Sequence, residues 1–107
     1  MYATIRRYTP ANPSTMKTDI DGLKRRIEQK FLPMLQDVTG FHCYYVINAG
    51  DRELTTISIF EDRKGAQDSN RRAAEFVRSD PLSDVLTKPE VIEGEVLLSR
   101  EAEVRAH

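Results

Sequence analysis

The sequence predicts an α+β domain with the element order β-α-β-β-α-β, a four-stranded antiparallel sheet carrying two helices on one face. Three observations predict it. Residues 40–62, GFHCYYVINAGDRELTTISIFED, read as a β-hairpin. An aromatic and β-branched run, Phe41 to Ile47, is followed by the turn cluster Asn48-Ala49-Gly50-Asp51-Arg52 and a Thr- and Ile-rich run from Leu54 to Phe60. Helical periodicity flanks this hairpin on both sides, and one more strand-like run lies toward each end of the chain.

Each element has its own signal. Tyr2 to Tyr8 alternates, with Ala3 and Ile5 on one face and Tyr2, Thr4 and Tyr8 on the other. Pro10 and Pro13 stop that strand, and Ser14 or Thr15 then caps a helix. Met16, Ile20, Leu23, Ile27 and Phe31 recur at three- and four-residue intervals and form its apolar stripe. Pro33 lacks the N–H that a helix interior needs, so the helix kinks or ends near Leu32; Met34, Leu35 and Val38 prolong it before Gly40. Beyond the hairpin Asp62 opens a second helix, where its charge suits the positive end of the dipole. The inward stripe there is Ala66, Asn70, Ala73 and Val77, flanked by Ser69 and Phe76. Asp80-Pro81 ends this helix, and Leu82, Val85 and Leu86 add a short turn. Pro89 begins the last strand, in which Glu93, Gly94 and Glu95 separate Val91 and Ile92 from Val96, Leu97 and Leu98. Right-handed crossovers and hairpin pairing order the strands 4-1-3-2, the ferredoxin-like plan. Residues 1–98 make one domain, and the charged residues 99–107 are expected to be a loose tail.

Composition removes several function classes. With 16 Lys+Arg against 17 Asp+Glu, the net charge of −1 gives no bulk field toward nucleic acid or membrane. One cysteine, Cys43, excludes an intramolecular disulfide and suits a reducing compartment. MYATIRRY is not signal-like and no run approaches a membrane span of about 20 apolar residues, so the expectation is a cytoplasmic protein. Two histidines and one cysteine do not form a metal cluster, and the five glycines occur singly, without a phosphate loop. An iron–sulfur ferredoxin would need more cysteines. The third strand, LTTISIF, lacks the aromatic signature of an RNA-recognition motif. No cofactor is expected: neither metal, haem nor flavin has a ligand set or fingerprint here. Lys24-Arg25-Arg26 fans around its helix and reads as solvated surface.

Two helices cover one side of the sheet, and the other side should turn polar if it met water. It does not. His42, Tyr44 and Val46 alternate with Phe41, Cys43, Tyr45 and Ile47, and neither set is a surface set. A partner subunit is the simplest cover, so a homodimer through sheet faces and edges is expected, burying well over ~1,000 Å². MYATIRRY, GFHCYYVINAG, LTTISIFED and AQDSNRRAAEFV resemble the dimeric α+β barrel superfamily, in its antibiotic-biosynthesis-monooxygenase-like branch. The resemblance covers residues 1–98 and rests on element order, the Gly40-Phe41 entry and the Phe60-Glu61-Asp62 exit. It implies two sheets closing a barrel and a ligand pocket between each sheet and its helices. Members include cofactor-independent oxygenases of polycyclic phenols, haem-degrading enzymes and proteins of unknown function. The chain departs from them in having no Trp, which several oxygenases place in the pocket, and no His in the second helix, where haem-degrading members carry their iron ligand.

Within that frame the candidate catalytic residues are His42, Tyr44 and Asn70, and the candidate ligand-binding residues are Arg6, Ser69 and Ala73. His42, the histidine inside the fold, serves either as acid or base, a role that imidazole chemistry suits, or as a hydrogen-bonded structural residue. A dyad with Cys43 is excluded if the strand is regular, since neighbours point to opposite faces, and Cys43 reads as a small buried hydrophobe. Asn70 interrupts an apolar stripe, and a buried amide needs partners: a ligand, Tyr44 or a backbone carbonyl. Ser69, Ala73 and Ala74 leave room beside it. Arg6 and Arg7 point to opposite faces. The inward guanidinium must be paired, and an ion pair with Glu93 or Glu95 is preferred to an anionic ligand. Tyr2, Tyr8, Tyr44 and Tyr45 either line an aromatic-accepting pocket or complete a core or interface. Period-two alternation puts His42 and Tyr44 on one face, either under the helices with Asn70 or in the barrel interior. Two functions fit: a cofactor-independent monooxygenase-like enzyme acting on an aromatic or apolar small molecule, or a non-catalytic small-ligand or stress-response barrel with the same pocket.

Overall fold

Strand β1 (Tyr2–Tyr8) is the central organiser of the sheet, paired antiparallel on both sides. The computed structural model describes residues 1–9, 20–50, 53–79 and 89–102. After β1 come α1 (Ile20–Arg26), a π-helical turn (Ile27–Phe31), α2 (Leu32–Gln36), β2 (Phe41–Asn48), β3 (Leu54–Phe60), α3 (Arg63–Ser79) and β4 (Glu90–Glu95). The sheet order is β2-β3-β1-β4, the ferredoxin-like arrangement that the element order predicts. The prolines at 10 and 13, the Ser14 or Thr15 cap, Met16, the Asp80-Pro81 stop and the turn around Leu82 lie outside the described residues.

The predicted kink at Pro33 takes a specific form. The Leu32 N–H donates to the Ile27 carbonyl, one residue beyond the α register, and Pro33 then sits in the first turn of α2. Widening the preceding turn accommodates a ring that would otherwise crowd the carbonyl four residues back. Leu23, Ile27, Phe31, Leu35 and Val38 are all buried along this broken helix. In α3 the Asp62 carboxylate caps the start by accepting from the Gly65 N–H at 3.1 Å. Its buried stripe is Ala66, Ser69, Ala73 and Phe76, while Asn70 and Val77 are half-buried. The helix is therefore rotated from the predicted stripe, leaving Asn70 on its flank.

The hairpin carries the main departure. Phe41 lies opposite Phe60 but Cys43 lies opposite Ile59, so His42 is an extra residue in a β-bulge. Two aromatic anchors explain it: Phe41 packs on Phe60 and Tyr44 on Phe31, each with ring centroids 5.8 Å apart. Both rings belong under the helices, yet they are three residues apart, an odd spacing that a regular strand cannot place on one face. Gly40 begins the bulge at φ +82°, where its carbonyl accepts from the Glu61 N–H at 2.7 Å. A Cβ there would sit 2.8 Å from that of Glu61, so only glycine fits. The expectation that His42 and Tyr44 share a face is thus overturned: Tyr44 faces the helices, and His42 pairs with Glu61 at the exposed edge.

The two sheet faces have opposite characters. Across the outer face run Ile92, Ile5, Ile57 and Tyr45 in one row and Gly94, Ala3, Ile59 and Cys43 in the next. Tyr45 is 55% exposed and Ile92 63%. Under the helices the same strands present Thr4, Arg6, Tyr8, Thr56 and Ser58, all buried. The sheet therefore shows its aliphatic side outward and hides a polar row. Strand β4 is shorter than predicted; Val96 donates to the Met1 carbonyl at 2.9 Å, and Leu97 and Leu98 project outward. No helix among the described residues is long and apolar enough to cross a membrane.

Candidate functional site

The polar row converges on Arg6. Alternation from Tyr8 and Thr4 turns its side chain under the helices, where only 2% of the residue is exposed. Thr56 stands directly opposite on β3 and Val91 on β4. The guanidinium donates from Nη1 to Asn70 Oδ1 at 2.8 Å and from Nη2 to Ser58 Oγ at 3.3 Å. Its carbon lies 5.8 Å from the centre of the Phe31 ring, a cation–π contact. Thr4 Oγ1 donates to the same Asn70 oxygen at 3.0 Å, and Asn70 Nδ2 donates to Glu93 at 2.9 Å. The amide is thereby oriented, oxygen toward the cation and nitrogen toward the carboxylate.

The expected ion pair between Arg6 and Glu93 or Glu95 does not form. Asn70 stands between Arg6 and Glu93, and no carboxylate among the described residues lies within ion-pair distance of Arg6. The strand's ion pair belongs to Arg7 on the outer face, which holds Glu53 through two hydrogen bonds at 2.6 and 3.1 Å and lies 3.7 Å from Glu90. Those bonds hold the Glu53 carboxyl below its usual range. Arg6 has no such partner, and its Nε is buried without a hydrogen bond. A buried charge compensated only by neutral dipoles is costly to keep.

Two phenols border the cluster. Burial pushes the Tyr44 hydroxyl up to about 12, and the Arg6 charge opposes that rise without cancelling it. Tyr8 is raised in the same way, by burial, against the pull of Arg6. The Thr56 hydroxyl is near enough to Tyr44 to favour its phenolate, yet it lies outside hydrogen-bonding geometry and is itself buried without a partner. Neither tyrosine is a base at neutral pH.

Two cavities flank the row. One, of about 370 Å³, is lined by Arg6, Tyr8, Asn70, Ala73, Ala74, Val77 and Val91, with Arg78 and Pro89 at its border. The other, of about 420 Å³, opens between α1 and β2 and is lined by Leu23, Ile27, Leu32, Tyr44, Val46 and Leu54 among others. Between them lies a space of about 20 Å³ bounded by Tyr8, Phe31, Tyr44, Thr56 and Phe76. The second cavity is the larger, but Asp21, Lys24 and Glu28 at its rim are exposed helix charges. The first has the oriented polar groups and apolar walls of a small-ligand site, so it is the candidate.

The predicted site residues separate accordingly. Arg6, Asn70 and Ala73 meet at the first cavity, and Tyr44 lies on the far side of the same polar row. Ser69 is buried with its hydroxyl turned back to the Ala66 carbonyl at 2.7 Å and lines neither cavity. His42 shares no partner with Asn70 or Tyr44; its Nε2 is 2.5 Å from Glu61 Oε2 at the sheet edge. The sequence offered Tyr8 only as one of four tyrosines that line a pocket or complete a core, and Thr56 and Ser58 were not singled out as site residues. The available signal was the period-two run of hydroxyl residues in β1 and β3, which continues the Arg6 face. Among the described residues no three His, Cys, Asp or Glu side chains cluster as metal ligands.

No protein-family model matches the sequence, and no curated protein does. Solved structures do match. A protein of unknown function from Nitrosomonas europaea, NE2512, is 18% identical with a TM-score of 0.70, covering 96% of this chain and 95% of that one. A dimeric ferredoxin-like protein from an uncultured marine organism is 9% identical with a TM-score of 0.73, over 94% and 98% of the two chains. SnoaB, a cofactor-independent oxygenase from Streptomyces nogalater, is 11% identical with a TM-score of 0.60, over 92% and 94%. The fold is the ferredoxin-like α+β fold of these structures, as the element order predicts.

Proposed function

We propose that the chain is a small-molecule enzyme of the cofactor-independent monooxygenase type, taking an aromatic or apolar substrate between sheet and helices. The observation that carries this reading is the Arg6–Asn70 pair, fixed at the floor of an apolar cavity of about 370 Å³. Asn70 and Arg6 would orient a substrate oxygen while Ala73, Val77 and Val91 hold the apolar body. The likeness to SnoaB supports it at the level of fold. The protein works as a homodimer, supported by the aliphatic outer face and by the dimeric neighbour, and it belongs in the cytoplasm. A second reading, a non-catalytic binding barrel, is favoured by one finding: with Tyr44 pushed up to about 12 and His42 outside the cavity, the site has no evident general base. Oxygen uptake with a panel of polycyclic phenols and naphthols tests the choice. Turnover by the metal-free protein that disappears in Asn70→Ala establishes the enzyme. Saturable binding of the same compounds without oxygen uptake establishes the barrel.

A further inference from the structure

Arg6 is a cation in search of an anion. The residue is 2% exposed, and its hydrogen bonds go to neutral acceptors, Asn70 Oδ1 and Ser58 Oγ, with the neutral Tyr8 and Tyr44 hydroxyls close beside the guanidinium. Nε has no partner, and no carboxylate among the described residues touches the group. Glu93 stands one amide away and is exposed, bonded to Asn70 Nδ2. Exposure lets water screen Glu93, whereas the guanidinium lies in surroundings where charge interacts strongly. The cavity that Arg6 lines is otherwise walled by Ala73, Ala74, Val77 and Val91. Arg78, the other charged residue lining it, is also cationic.

We infer that this cavity is a receptor for an organic monoanion: an apolar or aromatic body with one ionised oxygen, phenolate, enolate or carboxylate, directed at the Arg6 guanidinium. The inference rests on the reading of the cavity as a small-molecule site and names the charge state of what enters it. It also resolves the missing base. A site with Tyr8 and Tyr44 both protonated at neutral pH need not remove a proton if the ligand arrives ionised, or if Arg6 lowers the ligand's own pKa. Hydrogen bonding from a guanidinium to an anionic oxygen is charge-assisted and therefore selective for the anion over a neutral isostere.

The register supplies a clean perturbation. Val91 stands opposite Arg6 on β4, lines the cavity and is 44% exposed, so a carboxylate introduced there reaches Arg6 from a position that tolerates polarity. The experiment measures binding of 1-naphthoate, 1-naphthalenemethanol and a nitrophenol whose phenolate band reports its own ionisation. Wild type, Arg6→Met and Val91→Glu are compared. Wild type should bind naphthoate at least about tenfold more tightly than the alcohol, a difference one lost charge-assisted contact explains. Arg6→Met and Val91→Glu should each abolish that preference and keep binding of the alcohol, which also shows that the cavity has folded. The nitrophenol arm separates the anion types: a bound phenolate band at a pH where the free phenol is neutral assigns the site to phenolates and enolates, and its absence beside tight naphthoate binding assigns it to carboxylates. Equal affinity for naphthoate and alcohol in wild type, together with no bound phenolate band from the nitrophenol, overturns the inference while leaving the small-molecule cavity intact. Binding of neither overturns both.

Discussion

Replacing Arg6 by methionine should leave the fold as stable as wild type or more stable, although it removes the most thoroughly buried charge described. Two hydrogen bonds disappear, at 2.8 and 3.3 Å, each to a neutral acceptor. Hydrogen bonds from a charged group contribute about 1.5–3 kcal/mol each at best, and the longer contact less. Against this stands the burial of a guanidinium with no carboxylate partner and an unbonded Nε, a penalty of several kcal/mol. Asn70 keeps its bond from Thr4, so of the two acceptors only the Ser58 hydroxyl loses its donor. The expected net change runs from zero to a gain of ~2 kcal/mol. Asn70→Ala is the contrasting perturbation: it takes the acceptor from both Arg6 and Thr4 and should cost ~2–4 kcal/mol. In a domain of this size each kcal/mol moves Tm by about 4–8 °C. Thermal and urea unfolding at fixed protein concentration, on both single variants and the double, read these directly. The double variant should recover most of the Asn70→Ala loss, since the stranded cation is gone. If Arg6→Met instead loses as much as Asn70→Ala, then Arg6 is fully compensated in the fold and the argument from an unpaired cation fails.

Further outcomes follow from other parts of the molecule. Ile57→Glu, in the middle of the outer aliphatic row, should convert the proposed dimer to a 12.3 kDa monomer by light scattering; a wild-type monomer at micromolar concentration would remove the dimer reading altogether. Gly40→Ala meets both a positive φ and Glu61 Cβ at 2.8 Å, and denaturant titration should show a loss of ~1–3 kcal/mol. Because the Tyr44 phenol is raised in the fold, the unfolded chain ionises first as pH climbs. The stability linked to Tyr44 is present below pH ~10 and lost as pH rises toward 12, by about 2 kcal/mol, and Tyr44→Phe should flatten that slope in alkaline melts. The purified protein should give a visible spectrum without haem or flavin bands, and elemental analysis should find no stoichiometric transition metal.

What the sequence alone determined was the plan: strand order, two helices on one face, and a hairpin turning between Asn48 and Leu54. These follow from local signals, periodicity and turn chemistry, which a linear reading preserves. It also determined that Arg6 and Arg7 part to opposite faces and that Asn70 needs partners. Which partners was decided only by tertiary structure. The separation of His42 from Tyr44 depends on a bulge that lets Phe41 and Tyr44 both reach the core, a packing demand between residues distant in sequence. Likewise the exchange of an expected Arg6–Glu93 ion pair for an amide between them depends on the rotation of α3, fixed by packing Ser69 and Phe76 rather than Asn70 most deeply. Helical periodicity gives a stripe about 100° wide. Whether its edge or its centre faces the sheet is settled by the sheet's own side chains, and in this protein that decides what lies beside the buried arginine.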